Sequence, residues 1–329
     1  MKVIIPLAGF GTRLRPQTYT RPKPLINVAG QALLGHILDK FKGVDVDEFI
    51  VIYGYLGEQI MRYMEHEYGH YRVRYVEQPE MLGQAHAIWL AREAIDGPVL
   101  IVFVDTIFEA DLSRLNTETA DGVIYVKEVA DPRRFGVVLQ GAGGMITRFI
   151  EKPTSLEDNL AVIGLYYVRD GPALVAACQE LMDRQIQTKG EYFLADAFNL
   201  MIAAGARFRV EVVDVWKDCG KPETVLETNR YLLEHGHDTP ADAANGRYII
   251  VPPVHIHPSA EIINSVIGPY VTIGPHCRVE YSIVRDSIID EGAQIINAML
   301  DESLVGKEAV VEGRYRKFNL GDSTMVGFS

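Results

Sequence analysis

Apolar residues open the chain in short, nearly unbroken runs: VIIPLA (3–8), EFIVIYGY (48–55), RVRYVEQ (72–78) and VLIVFVD (99–105). Their length and their Val, Ile and aromatic content predict strands. Between them the spacing changes. In ALLGHILDKF the residues Leu33, Leu34, Ile37, Leu38 and Phe41 recur at helical intervals, and GQAHAIWLAREAI (83–95) predicts a further helix closed by Asp96-Gly97-Pro98. Apolar strands alternating with amphipathic helices predict an α/β fold with a doubly wound, Rossmann-like, mostly parallel sheet. Such sheets bind ligands beyond the carboxyl ends of their strands. The loop after the first run and Asp105 at the end of the fourth are therefore expected to share one crevice.

After about residue 120 the pattern turns to strands without intervening helices. GVIYVKEV, FGVVLQGAGGMITRFIEKP with a turn at Gly141–Gly144, and NLAVIGLYYV read as antiparallel additions to the sheet. Helices at about 171–184 and 191–204 follow, then the strand RFRVEVVDVW. The helix PETVLETNRYLLEHG has Pro222 near its start and Gly236 at its end. HGHDTPADAANG is polar and holds Pro and Gly, as a linker does. The expected division is a first domain over 1–236, a linker over 237–247 and a second domain over 248–329.

The second domain has its own period. Ile256, Ile262, Ile267, Ile273, Val279, Val284, Ile289, Ile295, Leu300, Val305 and Val311 stand five or six residues apart. Four residues after most of them comes another small or apolar side chain: Ala260, Val266, Val271, Cys277, Ala293 and Ala309. Short repeats of this kind predict a parallel β-helix of the hexapeptide-repeat type, with about three coils. An irregular β-meander is the alternative.

Composition narrows the function. The 329 residues are 48% hydrophobic and 23% charged, with a formal net charge of −12. An acidic chain is a poor general partner for nucleic acid, whose backbone needs a basic surface. Cys178, Cys219 and Cys277 have neither C-x-x-C nor metal spacing, which suggests free thiols in a reducing, cytoplasmic setting. MKVIIPLAGFGTR reads as a strand rather than a signal peptide, and no apolar run approaches the roughly 20 residues of a membrane span.

Against this background GFGTRLRPQTYTRPKPL (9–25) stands out. It carries Arg13, Arg15, Arg21 and Lys23, whereas the first carboxylate of the chain is Asp39. Glycines just after a strand let backbone N–H groups approach phosphates, and Gly9 and Gly11 are so placed. The dinucleotide fingerprint fails at Leu14, and the Gly-Lys-Ser/Thr of a Walker loop is absent. The stretch reads as an anion-binding loop of another kind.

The whole of IIPLAGFGTRLRPQTYTRPKPL resembles the signature of the sugar-1-phosphate nucleotidylyltransferases. The resemblance continues through EQPEMLGQAHAI, VDTIF, RRFGVV, FIEKP, NLAVIGLYY, GEYFLADAF and WKDCGKPETVLETNRYLL. The tail, DESLVGKEAVVEG followed by NLGDSTMV, is similar to that of the long glucose-1-phosphate thymidylyltransferases, which end in a left-handed β-helix. The implied reaction joins a nucleoside triphosphate to a sugar 1-phosphate and releases pyrophosphate. Its nucleophile is a phosphate oxygen already largely ionised at neutral pH. It needs no general base, and catalysis reduces to positioning and charge neutralisation.

The resemblance also implies roles. Arg13 would hold the triphosphate and Lys23 would lie near the α-phosphate. Leu7, Ala8, Gly9, Gly11 and Thr12, with Gln78 and Gly83, would surround the nucleotide. Asp105 and Asp218 would hold Mg²⁺, which keeps waters and takes phosphate oxygens as ligands. Gly136, Glu151, Lys152, Val162 and Trp216 would contact the sugar phosphate. Glu191 would bond a sugar hydroxyl or favour a helix N-terminus. Arg15 and Arg21 either join the site or solvate the loop, and Asp111, Asp121 and Asp214 are expected to be structural.

Departures from the family pattern bear on substrate identity: Val104 precedes Asp105 where Gly is usual, Thr106 follows it, and Ala195 replaces Thr. dTTP or UTP with glucose 1-phosphate is the leading expectation. GTP with mannose 1-phosphate, ATP with glucose 1-phosphate, and a sugar-nucleotide sensor without catalysis are the alternatives. The β-helix, with no obvious catalytic histidine, is expected to pack on the first domain or to mediate assembly as a homo-oligomer rather than to transfer acetyl groups.

Overall fold

Alternate residues of the first strands face opposite ways, and both ways lead into a core. Val3, Ile4 and Ile5 of β1 (Lys2–Pro6) are fully buried. The computed structural model describes residues 1–113, 115–239 and 248–313. Residues 240–247 of the expected linker, and residues 314–329 with the NLGDSTMV motif, lie outside the described residues. β1 pairs in parallel with β2 (Glu48–Tyr53) and with β4 (Val99–Val102), and β2 pairs in parallel with β3 (Val73–Glu77).

Ile4, Ile50, Ile52 and Ile101 pack on α3 (Gln84–Leu90), α4 (Gly171–Asp183) and α5 (Leu194–Ala203). Val3, Ile5, Val51 and Leu100 pack on α1 (Leu33–Asp39) and α2 (Gly57–Tyr68). Burial on both faces explains why these strands read as continuous apolar runs rather than alternating ones.

Beyond β4 the sheet turns antiparallel, as the change of pattern predicts. A short β5 (Thr106–Phe108) leaves the main sheet. β6 (Gly122–Glu128), β7 (Gly136–Gln140), β8 (Ile146–Glu151) and β9 (Leu160–Val168) follow. The order is β8-β7-β9-β4-β1-β2-β3, with β6 bridging β9 and β10 (Phe208–Val212). β9 runs antiparallel to β4 and β6, while β10 runs parallel to β6.

RFRVEVVDVW is two strands rather than the expected one. After β10 the chain tucks Val213 into the core, donating its N–H to the Val126 carbonyl at 2.9 Å. It then pairs as β11 (Trp216–Asp218) antiparallel to β5. The helix expected over 83–95 is α3 followed by a separate 3₁₀ turn, Arg92–Ala94. No helix among the described residues is long and apolar enough to cross a membrane.

The chain packs as two compact units. One comprises Met1–Ile26 and Gln31–Thr228, and the other comprises Asn27–Gly30 and the chain from Asn229 on. α6 (Pro222–Glu234) carries the chain from the first into the second.

The second unit is a three-faced parallel β-helix. One face stacks Ile249–Ile250, Val266–Ile267, Ile283–Val284 and Met299–Leu300. The next stacks Val254–Ile256, Val271–Ile273, Ile288–Ile289 and Leu304–Val305. The third stacks Glu261–Ile263, Arg278–Glu280, Gln294–Ile296 and Val310–Glu312. Every aliphatic position of the sequence period lies in or against this core.

The described residues make four coils rather than three. Ile249–Ile250 supplies a strand ahead of the first residue of the repeat, and the period then completes at Val311. Each coil turns its corners with a left-handed residue, such as Asn264, Tyr281 and Asn297 at φ 46°, 49° and 53°. Buried serines stack behind them. The Ser265 hydroxyl accepts from the Ser282 N–H at 3.1 Å, and the Ser282 hydroxyl accepts from the Ala298 N–H at 3.0 Å. These corners would otherwise leave buried amides unpaired.

Candidate active site

The loop after β1 doubles back beneath itself. Leu7 still donates to the Ile52 carbonyl at 2.7 Å, and then a 3₁₀ turn forms at Thr12–Leu14. Gly11 enters that turn at φ 61°, and a Cβ there would lie 3.0 Å from the Cβ of Lys23. Only glycine meets both conditions without strain. The Thr18 hydroxyl pins the Gly11 carbonyl at 2.9 Å. Lys23 opens a later 3₁₀ turn, Lys23–Leu25, and its Nζ reaches to 3.4 Å from Oδ2 of Asp105.

The two candidate metal carboxylates are brought together by the pairing of β5 with β11: Asp105 directly precedes β5, and Asp218 closes β11. Thr106 of β5 is the register partner of Asp218 of β11, and Cys219 donates its N–H to the Asp105 carbonyl at 2.8 Å. Asp218 accepts from the Gly220 N–H at 3.0 Å and from the Thr224 hydroxyl at 3.3 Å. Gly220 lies so close that a Cβ would be 2.9 Å from Oδ1 of Asp218 and 3.0 Å from Nη2 of Arg13. Arg13, Lys23, Asp105 and Asp218 thus converge on one corner.

Among the described residues no group of three or more His, Cys, Asp or Glu side chains could hold a metal by itself. Two carboxylates are what a Mg²⁺ ion that completes its shell with waters and phosphate oxygens asks of a protein, so the donor set fits.

Two clefts meet at this corner. The first, of about 430 Å³, is lined by Leu7, Ala8, Gly9, Gly11, Thr12, Arg13, Gln78 and Gly83, all the residues expected around a nucleotide, and by Lys23 and Asp105. Gln78 is buried there and donates to the Gly83 carbonyl at 3.1 Å. The second, of about 180 Å³, is lined by Gly136, Glu151, Val162, Trp216, Asp218, Arg13 and Asp105 among others. Arg13, Gln84, Phe103 and Asp105 belong to both walls.

Some expected residues are placed otherwise. Lys152 borders neither cleft: its Nζ lies 3.6 Å from Oε1 of Glu151 and 5.6 Å from the centre of the Phe193 ring. Arg15 and Arg21 also line neither, and Arg15 stacks over Tyr19 at 4.9 Å. Glu191 borders the first cleft rather than the second. Gln84, Phe103, Arg134 and Tyr166 line the clefts without having been singled out from the sequence, although each lies within or beside a motif segment.

The electrostatics of the second cleft are uneven. Burial pushes the Glu151 carboxyl above its ordinary range, opposed by the Lys152 ammonium. Burial also raises the Tyr166 phenol, helped by the charges of Glu151 and Asp105. The Trp216 ring meets Phe135 edge-on at 4.9 Å, and its buried Nε1 has no hydrogen-bond partner among the described residues. Cys219, next to Asp218, is fully buried and its thiol is pushed up to about 12. A protonated, inaccessible thiol is no nucleophile.

Comparison with known proteins gives consistent results. The profile of the family described as "Nucleotidyl transferase" matches residues 2–235. A UTP–glucose-1-phosphate uridylyltransferase of Haloferax volcanii is 33% identical over 241 residues, covering 71% of this chain and 97% of that protein. A glucose-1-phosphate thymidylyltransferase of Streptomyces griseus is 27% identical over 339 aligned residues, covering 94% of this chain and 93% of that protein. The crystal structure of a UDP-glucose pyrophosphorylase complexed with UDP-glucose superposes with a TM-score of 0.63 at 22% identity, covering 71% of this chain and 98% of the other. That last likeness is one of fold.

Proposed function

Because the chain belongs to the nucleotidyl transferase family, we propose that it transfers a nucleotidyl group to a sugar 1-phosphate, forming a nucleotide sugar and pyrophosphate. UTP or dTTP with glucose 1-phosphate is the favoured pair. The observation that carries this reading is the common wall of the two clefts, where Arg13 and Asp105 border both. A nucleotide in the larger cleft and a sugar phosphate in the smaller would meet there.

The chemistry asks little of protein acids and bases. A phosphate monoester is largely dianionic at neutral pH and attacks as it stands. What opposes reaction is repulsion between two polyanions. Arg13 offers a planar fork of donors to the phosphates departing as pyrophosphate. Lys23, only 13% exposed, offers a fixed ammonium beside the reacting phosphate. Fixed cations in a partly desolvated cleft stabilise charge without reorganising at the moment of reaction.

Asp105 and Asp218 would hold Mg²⁺, which when bound neutralises phosphate charge and orients its oxygens. Glu151 and the backbone at Gly136 would hold the sugar hydroxyls, while Val162 and Trp216 would wall the ring. Lys152, turned toward Glu151, would act through that carboxylate. The three buried free thiols support a reducing, cytoplasmic setting.

The test is a grid of the five common nucleoside triphosphates against glucose, mannose, galactose and N-acetylglucosamine 1-phosphates, read by pyrophosphate release in the presence of Mg²⁺. Turnover confined to one or two pairs is expected. Tight binding of a nucleotide sugar with no pyrophosphate from any pair would overturn the reading in favour of a sensor.

A further inference from the structure

Two arginines stand side by side before the second cleft, and they are differently employed. Arg133 is tied down: its Nε and Nη2 donate to the two carboxylate oxygens of Asp131 at 2.8 and 2.7 Å. Asp131 also accepts the Arg133 N–H, which caps the 3₁₀ turn Pro132–Arg134. Arg134, one position on, is exposed and borders the cleft. Among the described residues it forms no salt bridge, its charge acting on Asp131 only from a distance, and its Cζ lies 5.9 Å from the centre of the Phe135 ring.

Charge in the cleft gives this guanidinium a task. Three carboxylates border the cavity, Asp105, Glu151 and Asp218, against two cations, Arg13 and Arg134. A sugar 1-phosphate brings a nearly complete dianion. Without Arg134, the side chains bordering the cavity would set three negative charges against one positive, and a Mg²⁺ held by Asp105 and Asp218 would offset only those two carboxylates. Arg13 is also claimed by the neighbouring cleft, whose wall it shares.

We infer that Arg134 is a substrate-binding residue, its guanidinium taking oxygens of the sugar 1-phosphate at the mouth of the second cleft. The inference rests on the reaction proposed above. Guanidinium pairs with phosphate through parallel N–H donors, a geometry that lysine cannot reproduce. An exposed cation at a cleft mouth also steers an anion inward, and that attraction weakens as salt screens it.

Calorimetric titration of the full chain with glucose 1-phosphate tests this, with the protein held in Mg²⁺ and α,β-methylene-UTP so that no turnover occurs. Arg134→Ala should weaken glucose 1-phosphate binding about ten-fold and leave binding of the UTP analogue unchanged. Raising the salt should weaken wild-type binding more steeply than binding by the variant, which a merely structural arginine would not produce. Arg134→Lys should restore only part of the loss. Equal affinity in wild type and Arg134→Ala, or no binding of the sugar phosphate by wild type, overturns the assignment. A preserved difference in binding together with no pyrophosphate release from wild type supports the assignment and defeats the proposed reaction instead.

Discussion

The ammonium of Lys23 lies 3.4 Å from the Asp105 carboxylate, although the two residues come from separate elements 82 positions apart. Gly11 makes the approach feasible, since the loop folds tightly enough to set its own Cα over the Lys23 side chain. Asp105 is held from the other side, where its carbonyl receives Cys219. A cation and a candidate metal ligand are thus fixed at the junction of two clefts before any substrate arrives, so little reorganisation is left for the reaction itself.

Lys23→Ala should lower kcat by roughly 10²–10³, the range seen when one fixed donor to a developing anion is removed. The KM for the sugar phosphate should change little. Lys23→Arg should not rescue fully, because a planar guanidinium does not reproduce the compact ammonium charge held beside Asp105. Steady-state pyrophosphate release checks both, and a Lys23→Ala enzyme within a few-fold of wild type would remove the residue from the reacting centre.

Asp218→Asn keeps an oxygen for the Gly220 N–H, sets its amide nitrogen against the Thr224 hydroxyl and removes the charge. It should nearly abolish Mg²⁺-dependent turnover and leave the thermal midpoint within about 2 °C, since a change at a polar, half-exposed position costs within about 0.5 kcal/mol. Activity at graded Mg²⁺ alongside a melting curve separates the two effects. Normal turnover at low Mg²⁺ would exclude Asp218 from the metal site.

How far the sequence carried this picture depends on the distance over which each feature is determined. The β-helix core was legible to the residue, because its period is local and repeats: Ile267, Ile273, Val279, Val284 and Ile289 all sit where the spacing puts them, with 0% exposure. The convergence of Arg13, Lys23, Asp105 and Asp218 was legible through strand ends and motif order. Gln84, Phe103 and Tyr166 were not, since an aromatic ring in an apolar segment reads as core and an amide at a helix start reads as a solvated polar group. Phe103 borders both clefts, and Gly164 across the sheet leaves room for its side chain, a would-be Cβ lying 3.0 Å from the Phe103 Cβ. Lys152 follows directly after Glu151 in a motif, yet its φ of 52° turns it out of the strand direction. Such a turn has no signature in residue type, because lysine seldom adopts it.

Glu151 links stability to pH. Burial raises its carboxyl above the ordinary value of 4.5, so the folded chain holds this proton at pH values where the unfolded chain has lost it. Between the ordinary and the raised value the native state binds more protons, so this group's contribution to stability falls as pH rises through that window. Glu151→Gln removes the penalty. At neutral pH the variant should melt slightly higher than wild type, and the difference should vanish below pH 4.5. It should also use sugar 1-phosphate less well, through a higher KM. Melting curves from pH 4 to 8 test the sign, and a variant less stable than wild type at neutral pH would contradict it.

Asn229 is the polar centre of the second unit, and its removal should be felt there first. It is fully buried. Its Oδ1 accepts from the Ala29 N–H at 2.9 Å and from the Thr272 hydroxyl at 2.7 Å, and its Nδ2 donates to the Tyr270 carbonyl at 3.1 Å. One amide therefore satisfies two donors and one acceptor on segments 200 and about 40 residues away in sequence. Asn229→Ala leaves all three without this partner, and each such group costs roughly 1–3 kcal/mol. Water entering the space recovers part of that, so a loss of roughly 2–4 kcal/mol is expected. Asn229→Asp keeps the acceptor but sets a carboxylate against the Tyr270 carbonyl, and should cost at least as much above the carboxyl's pKa. Hydrogen exchange gives the decisive readout. Amides of Val254–Ile256 and Val271–Ile273 should lose protection in either variant, while those of β1 and β2 change far less. Unchanged protection along the β-helix, with a urea midpoint equal to wild type, would mean that these three hydrogen bonds contribute nothing to its stability.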